Sequence, residues 1–285
     1  STGTQEKWPT TFLEGLMEGL AADGTLPAIP KWAGIEKYTI RYFTWPQNGG
    51  GSHEGEAWSA ETVVQVGTGT ENAGGPYVLT LWNAAVAGSA PNFHQAPYFA
   101  TMFADRELDL IFVNHGHNEG TAVSPFPFQR NDMLALTENL ALACPEAEIV
   151  LIGQNPRITG VTHAIDSQRQ LVVAEIASLK GYGFINTWQT FYDNSPGGEV
   201  KAEPTAGALL KEDGVHPNAA GAALQGQEII RHFQAPESPY GQDVQPRDLA
   251  ASSLAMPLVN LLNNGDFSNF AQPPTLPEWT PNAYV

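Results

Sequence analysis

Leu108-Asp-Leu-Ile-Phe-Val113 and Glu148-Ile-Val-Leu-Ile152 are two short apolar runs of strand length, and residues 131–143 between them carry helical periodicity. A strand buried on both faces reads as a continuous apolar run. One followed by a helix and a second such run pairs in parallel with it. The same alternation extends on both sides. Residues 77–82 form an apolar strand, 97–104 a short helix, 165–179 a helix, 183–187 a fourth short strand and 218–233 a final helix that starts after Pro217. The spacing predicts a three-layer α/β/α sandwich with a parallel central sheet. In such sheets function gathers in the loops at the carboxyl ends of the strands. Those loops hold the unusual residues here, at 83–88, 114–120 and 154–157.

Further out, the pattern is less regular. Residues 8–20 place Phe12, Leu13, Leu16, Met17 and Leu20 on one helical face. Residues 21–34 are rich in Pro and Gly. Two short strands, 38–43 and 62–66, flank a Gly-rich loop at 48–55. After Phe233 the composition shifts. Residues 234–259 read as a linker or strap, and 260–285 as the start of a β-sandwich carbohydrate-binding module or a packed tail. Such a sandwich needs about 100 residues, so the last stretch is at most its beginning.

Composition narrows the partners. The 285 residues hold 13 Lys+Arg against 30 Asp+Glu, a formal charge of −17, which offers no general attraction to nucleic acid or anionic membranes. Charged residues are only 15%, so the acidity comes from scarce bases, and 28 Gly with 22 Pro point to a loop-rich, polar, weakly charged surface. Apolar residues at 42% suffice for a core. The single cysteine, Cys144, excludes an internal disulfide and a Cys-rich zinc site and reads as buried. No apolar run approaches the roughly 18 residues needed to span a bilayer.

The strongest chemical signal is Lys211-Glu-Asp213-Gly-Val-His216-Pro217-Asn218. An Asp and a His three apart, in a turn before a helix, can set a carboxylate beside one imidazole nitrogen and leave the other for a nucleophile. D-x-x-H alone is more often an unremarkable turn. With the following Pro-Asn and a helix of small residues, it resembles the last sequence block of the SGNH (GDSL) hydrolase family. Three further blocks match in order. Residues 108–113 lead into Asn114-His-Gly-His-Asn118, similar to the family's strand and G-x-N. Residues 77–82 lead into Asn83-Ala-Ala-Val-Ala-Gly88, similar to N-x4-G, although Ala85 stands where many members have a further Gly. Ser1-Thr-Gly-Thr-Gln-Glu-Lys-Trp8-Pro9 resembles the segment that begins with the Ser of G-D-S. The resemblance covers residues 1–233.

This resemblance implies a flavodoxin-like SGNH hydrolase fold with its first strand, and the Gly-Asp of the first block, upstream of Ser1. It implies a Ser1–His216–Asp213 triad, an oxyanion hole from the Ser1 and Gly88 N–H groups and the Asn118 amide, and no metal or organic cofactor. His117, Gln154, Asn155, Trp45 and Trp58 are the expected substrate-binding residues, the two tryptophans as sugar platforms. Other chemistries are weaker fits. His115 and His117 form an H-x-H pair that could bind zinc, but no third ligand stands at a suitable spacing. The α-amine of Ser1 could act as base, which would leave Asp213 and His216 without a role. Ser89 reads as a loop residue.

The loop 83–90, the weakly charged surface and the module-like tail lean towards an O-acetyl esterase acting on a polysaccharide. The expected setting is extracellular or virion-borne, as in a phage tail component, with assembly into a larger secreted or virion complex. The alternatives are a lipid esterase and a non-catalytic structural or glycan-binding protein of the same fold.

Overall fold

The computed structural model describes residues 8–21, 28, 31–44, 57–67, 75–86, 88–104, 106–118, 126–160, 163–195 and 209–233. All lie in the first of the two units into which the chain divides, Ser1–Gln234 and Ala235–Val285. Ser1, Trp45, the Gly-rich loop at 48–55 and the expected strap and module at 234–285 fall outside the described residues.

The elements run α1 (Trp8–Glu18), β1 (Ile35–Thr44), β2 (Ala57–Trp58), β3 (Thr62–Val66), β4 (Tyr77–Asn83), a 3-10 turn (Pro91–Gln95), α2 (Tyr98–Phe103), β5 (Leu110–Val113), α3 (Phe126–Ala143), β6 (Glu148–Ile152), α4 (His163–Lys180), β7 (Gly183–Ile185), α5 (Thr187–Asp193) and α6 (Ala219–Arg231). Strands β5, β6 and β7 form a parallel sheet, with Ile111 opposite Ile149 and Leu151 opposite Phe184. Its two faces are both covered. Ile111, Val113, Ile149 and Leu151 alternate onto one face, in a single core with Met133, Leu136 and Leu140 of α3 and Val173 and Ile176 of α4. Phe112 points the other way, its ring 5.4 Å from both Trp8 and Phe12 of α1 and 5.7 Å from Phe233 beyond α6. The α/β/α layering expected from the sequence is therefore present. Leu136 and Leu151 are wholly buried, so truncating either to Ala removes about 2–5 kcal/mol of stability.

The helices beneath the Phe112 face approach closely because their contact positions are small. A Cβ built on Gly226 of α6 would lie 2.6 Å from Thr11 Cβ of α1. Only glycine there lets the two backbones come this near.

The described strands form two hydrogen-bonded sets, where the sequence suggests one parallel sheet. The second set is mixed. β1 pairs in parallel with β4, Thr39 opposite Thr80, and in antiparallel with both β2 and β3. β1 also runs longer than the expected 38–43. Helix α5 replaces the end of the strand expected at 183–187. Asn186 caps it by accepting a hydrogen bond from the Gln189 N–H at 3.2 Å, and this capping signal is in the sequence. Cys144 is buried, as expected. Among the described residues, no helix is long and apolar enough to cross a membrane.

Candidate active site

The turn ahead of α6 builds its own geometry. The Lys211 N–H donates to the His216 carbonyl at 2.8 Å and the Gly214 N–H to the Lys211 carbonyl at 3.0 Å, while Leu210 and Pro217 form an antiparallel bridge. Gly214 closes the turn at φ +66°, and a Cβ on it would lie 2.3 Å from Thr159 Oγ1. Asn218 ends the turn and starts the helix, its Oδ1 accepting from the Gly221 N–H at 2.9 Å.

Within this turn the two carboxylate oxygens of Asp213 divide their work. Oδ1 accepts from the Val215 N–H at 2.8 Å and the His216 N–H at 2.9 Å, and Oδ2 accepts a hydrogen bond from His216 Nδ1 at 2.6 Å. Burial pushes the Asp213 carboxyl up. The hydrogen bonds from the His216 N–H, the His216 ring and the Val215 N–H, with the imidazole's charge, outweigh it and hold the pKa at about 2. Asp213 is thus an anion that fixes Nδ1 as donor, and Nε2 carries the lone pair that can accept a proton. Both side chains are about half exposed, so the pair does little for stability and much for the state of the imidazole.

The two expected oxyanion donors meet across neighbouring loops. Asn118, after β5, donates from Nδ2 to the Ser89 carbonyl at 2.9 Å, next to Gly88 in the loop after β4. Gly88 is exposed with φ +75°. Ser89 turns its hydroxyl onto the Val86 carbonyl at 2.8 Å, as a loop residue would.

The loop after β6 ties these parts together. Gln154 Nε2 donates to the Asn114 carbonyl at 2.8 Å. Asn155 Nδ2 donates to the Val215 carbonyl at 2.7 Å and to the Pro156 carbonyl at 3.0 Å, and the Asn155 carbonyl accepts from His117 Nε2 at 2.5 Å. Arg157 Nη1 donates to the His117 carbonyl at 2.7 Å, and the Ile158 N–H donates to the Gly214 carbonyl at 2.9 Å. Asp166, buried in α4, accepts from the Arg157 N–H at 3.2 Å and from the indole of Trp188 at 2.8 Å. No sequence motif marks Asp166. Its only signal is a carboxylate on an otherwise buried helix face.

The histidines of the H-x-H pair serve different neighbours. His115 stacks on Phe93 with ring centroids 5.1 Å apart. Burial brings its pKa down to about 4. His117 is buried, and burial lowers it to about 4 as well; the hydrogen bond to Asn155 opposes the shift, while the charges of Arg157, His216 and Arg169 add to it. Both rings are neutral near pH 7. Among the described residues no group of three His, Cys, Asp or Glu side chains is placed to hold a metal ion.

Two of the expected substrate-binding residues also bond within the protein. Asn155 is buried, and both hydrogens of its amide go to backbone carbonyls. Trp58 donates its indole N–H to the Met102 carbonyl at 3.1 Å and packs edge-on to Trp82 and Phe43, 4.9 and 5.3 Å between centroids. The Arg106 guanidinium lies 6.0 Å from its ring. That is a packing role at the junction of β2 and α2.

No protein-family model matches the sequence, and a search of curated proteins finds no relative. Solved structures do show likeness in part of the chain. An acetyl xylan esterase is 12% identical with a TM-score of 0.42, over 55% of this chain and 81% of that one. An acetyl xylan esterase variant from Geobacillus stearothermophilus is 19% identical with a TM-score of 0.40, over 54% and 72%. A peptidoglycan O-acetylesterase is 17% identical with a TM-score of 0.47, over 63% of this chain and 56% of that one.

Proposed function

We propose that this chain, which resembles the SGNH (GDSL) hydrolases, is a serine esterase that removes O-acyl groups, chiefly O-acetyl, from a carbohydrate. One observation carries the reading. An Asp213–His216 pair at 2.6 Å stands among the same carboxyl-end loops as an Asn118 amide held beside Gly88. The pair suits a general base with its orienting carboxylate, and the Asn118 amide and the Gly88 N–H suit donors to an oxyanion.

The reaction follows from these parts. Ser1 Oγ attacks the ester carbonyl as His216 Nε2 takes its proton. The negative oxygen that forms is stabilised by the Gly88 and Ser1 N–H groups and by the Asn118 amide. Collapse expels the alcohol, which receives the proton from the imidazolium. Water, deprotonated by His216, then hydrolyses the acyl-serine and releases the acid. Asp213 holds the imidazole in one tautomer and offsets its positive charge. Losing one oxyanion donor costs about 3–4 kcal/mol of barrier.

Three features support a sugar ester as substrate: the acetylesterase-like loop 83–90, the weakly charged surface and the module-like residues 260–285. The same features support an extracellular or virion-borne setting and assembly into a larger complex.

The test is acetate release from acetylated xylan, acetylated pectin and O-acetylated bacterial capsule by wild type, Ser1→Ala and His216→Ala. The reading expects release by wild type alone. Equal release by all three removes the triad, and serine labelling by a fluorophosphonate at another position relocates the nucleophile. A preference for long acyl chains turns the assignment to a lipid esterase.

A further inference from the structure

The 154–158 loop makes hydrogen bonds to two loops that the esterase reading treats as separate. Towards the 114–118 loop it offers Gln154 Nε2 to the Asn114 carbonyl, the Asn155 carbonyl to the His117 ring, and Arg157 Nη1 to the His117 carbonyl, at 2.8, 2.5 and 2.7 Å. Towards the 211–218 turn it offers Asn155 Nδ2 to the Val215 carbonyl and the Ile158 N–H to the Gly214 carbonyl, at 2.7 and 2.9 Å. Arg157 is itself fixed, Nε to the Thr159 carbonyl at 2.7 Å and N–H to buried Asp166 at 3.2 Å.

We infer that Arg157 and Asn155 are positioning residues with separate addresses: Arg157 sets the oxyanion donor Asn118, and the Asn155 side chain sets the His216 turn. The His117 carbonyl is part of the peptide unit that leads directly into Asn118. A charged donor on that oxygen fixes the plane from which the Asn118 side chain departs. The hydrogen bond is charge-assisted, hence stronger than a neutral one. Val215 precedes His216, so the Asn155 bond holds the peptide that leads into the imidazole. Both residues act through backbone atoms, and neither needs to touch substrate. This assigns Asn155 a different role from the sugar contact that its sequence position suggests. His117 becomes the anchored part of the oxyanion loop.

The inference rests on the esterase reading, and the experiment separates the two. Hydrolysis of 4-nitrophenyl acetate is measured on the full chain for wild type, Arg157→Met, Arg157→Lys, Asn118→Ala and the double variant Arg157→Met/Asn118→Ala. Arg157→Met is expected to lower kcat about 10- to 100-fold with KM within about twofold, the pattern of an interaction felt in the transition state. Arg157→Lys, which keeps one charged donor, recovers part of that loss. In the Asn118→Ala background, Arg157→Met costs less than about twofold, because the group it positions is gone. Asn155→Ala, in contrast, shifts the midpoint of the pH–rate profile, and Arg157→Met leaves it in place.

Additive losses at Arg157 and Asn118, or a rise in KM with kcat unchanged, overturn the assignment of Arg157. An unchanged pH midpoint in Asn155→Ala overturns that of Asn155. If Arg157→Met does not fold, the same cycle is run with Arg157→Lys. If wild type has no esterase activity, the esterase reading fails by itself, and amide hydrogen exchange decides the brace. Arg157→Met should then speed exchange at 114–118 and leave 211–218 unchanged, and Asn155→Ala should speed 211–218. Exchange rates equal to wild type in both segments remove the proposal.

Discussion

The turn at 211–218 and the loop at 114–118 each bring a polar side chain to the carboxyl end of the sheet, and they do so by opposite means. The turn is held from within. Its backbone closes on itself between Lys211 and His216, and Asp213 bonds two N–H groups and an imidazole, all within three residues. The loop is held from outside. The Asn114 carbonyl, the His117 ring and the His117 carbonyl are all bonded to residues 38 to 40 positions later in the chain. The turn closes largely on itself and takes outside bonds at its Gly214 and Val215 carbonyls, from the Ile158 N–H and Asn155, whereas the loop is only as well placed as the neighbours that hold it. In the proposed function, the base and its orienter sit in the first kind of structure, and the oxyanion donor in the second.

The largest effect that tests this contrast is on the turn's chemistry. Asp213→Asn keeps an oxygen for the Val215 and His216 N–H groups, so the turn should persist. The amide would face Nδ1 with a donor and force the other tautomer. The expected loss in kcat is roughly a thousandfold to ten-thousandfold, with a Tm close to wild type because the pair is half exposed. A matching collapse in Tm would show that the turn depends on the carboxylate for its shape as well as for its chemistry.

The loop should reveal itself through acid. His115 and His117 are each lowered to about 4 in the folded protein, against about 6.5 unfolded. The unfolded chain therefore binds more protons between these values, and stability falls as pH drops from about 6.5 to about 4. Each group contributes up to about 3 kcal/mol. His232, also lowered to about 4 by burial, acts in the same direction. Glu148 and Glu228, pushed up by burial, act against it. The loss associated with Asp213 comes lower, as pH falls towards about 2. His117→Gln retains a donor for the Asn155 carbonyl and removes the titration, so its Tm should decline less steeply over the same range. A slope identical to wild type would mean that His117 does not anchor the loop as a neutral ring.

The smallest effect lies where the turn meets the 154–159 segment that also braces the loop. Gly214 combines φ +66° with a tight approach to Thr159 and Ile158. Gly214→Ala should cost about 1–3 kcal/mol, from left-handed backbone strain and from pushing the 154–159 segment away. Denaturant unfolding gives the number. Gly214→Ala paired with Thr159→Gly isolates the Thr159 part, since removing that side chain relieves its clash and leaves the Ile158 contact and the backbone strain.

Much of this was legible in the sequence. The runs at 108–113 and 148–152 read as parallel strands, because a strand buried on both faces must be apolar throughout, and the two strands pair in register. Asp213 and His216 were legible because their partnership is local: three residues, one turn, one cap. Gly88 and Asn118 were identified by resemblance, and the fold brings their loops into contact. The role of Asn155 was not legible. A Gln-Asn-Pro-Arg run after a strand looks the same whether its amides face substrate or the next loop, and only the neighbouring carbonyls decide. Trp58 shows the same ambiguity, since an indole beside a Gly-rich loop suits a sugar platform, and in the fold this half-buried ring also bonds the Met102 carbonyl and packs on Trp82 and Phe43. The mixed pairing around β1 also escaped, since short strands of 2 to 10 residues carry no mark of their partner's direction.

By itself, then, the sequence determined what short-range physics can settle: the periodicity of each element, the capped and bonded turn at 211–218, and a chain too poor in basic residues to favour polyanions. Only the tertiary structure decided which loops hold one another, that Arg157 reaches the peptide before Asn118, and that His117 is buried and neutral. Those outcomes depend on groups distant in sequence. Their hydrogen bonds form because packing α3 and α4 on one face of the sheet, and α1 and α6 on the other, first brings the strand ends together.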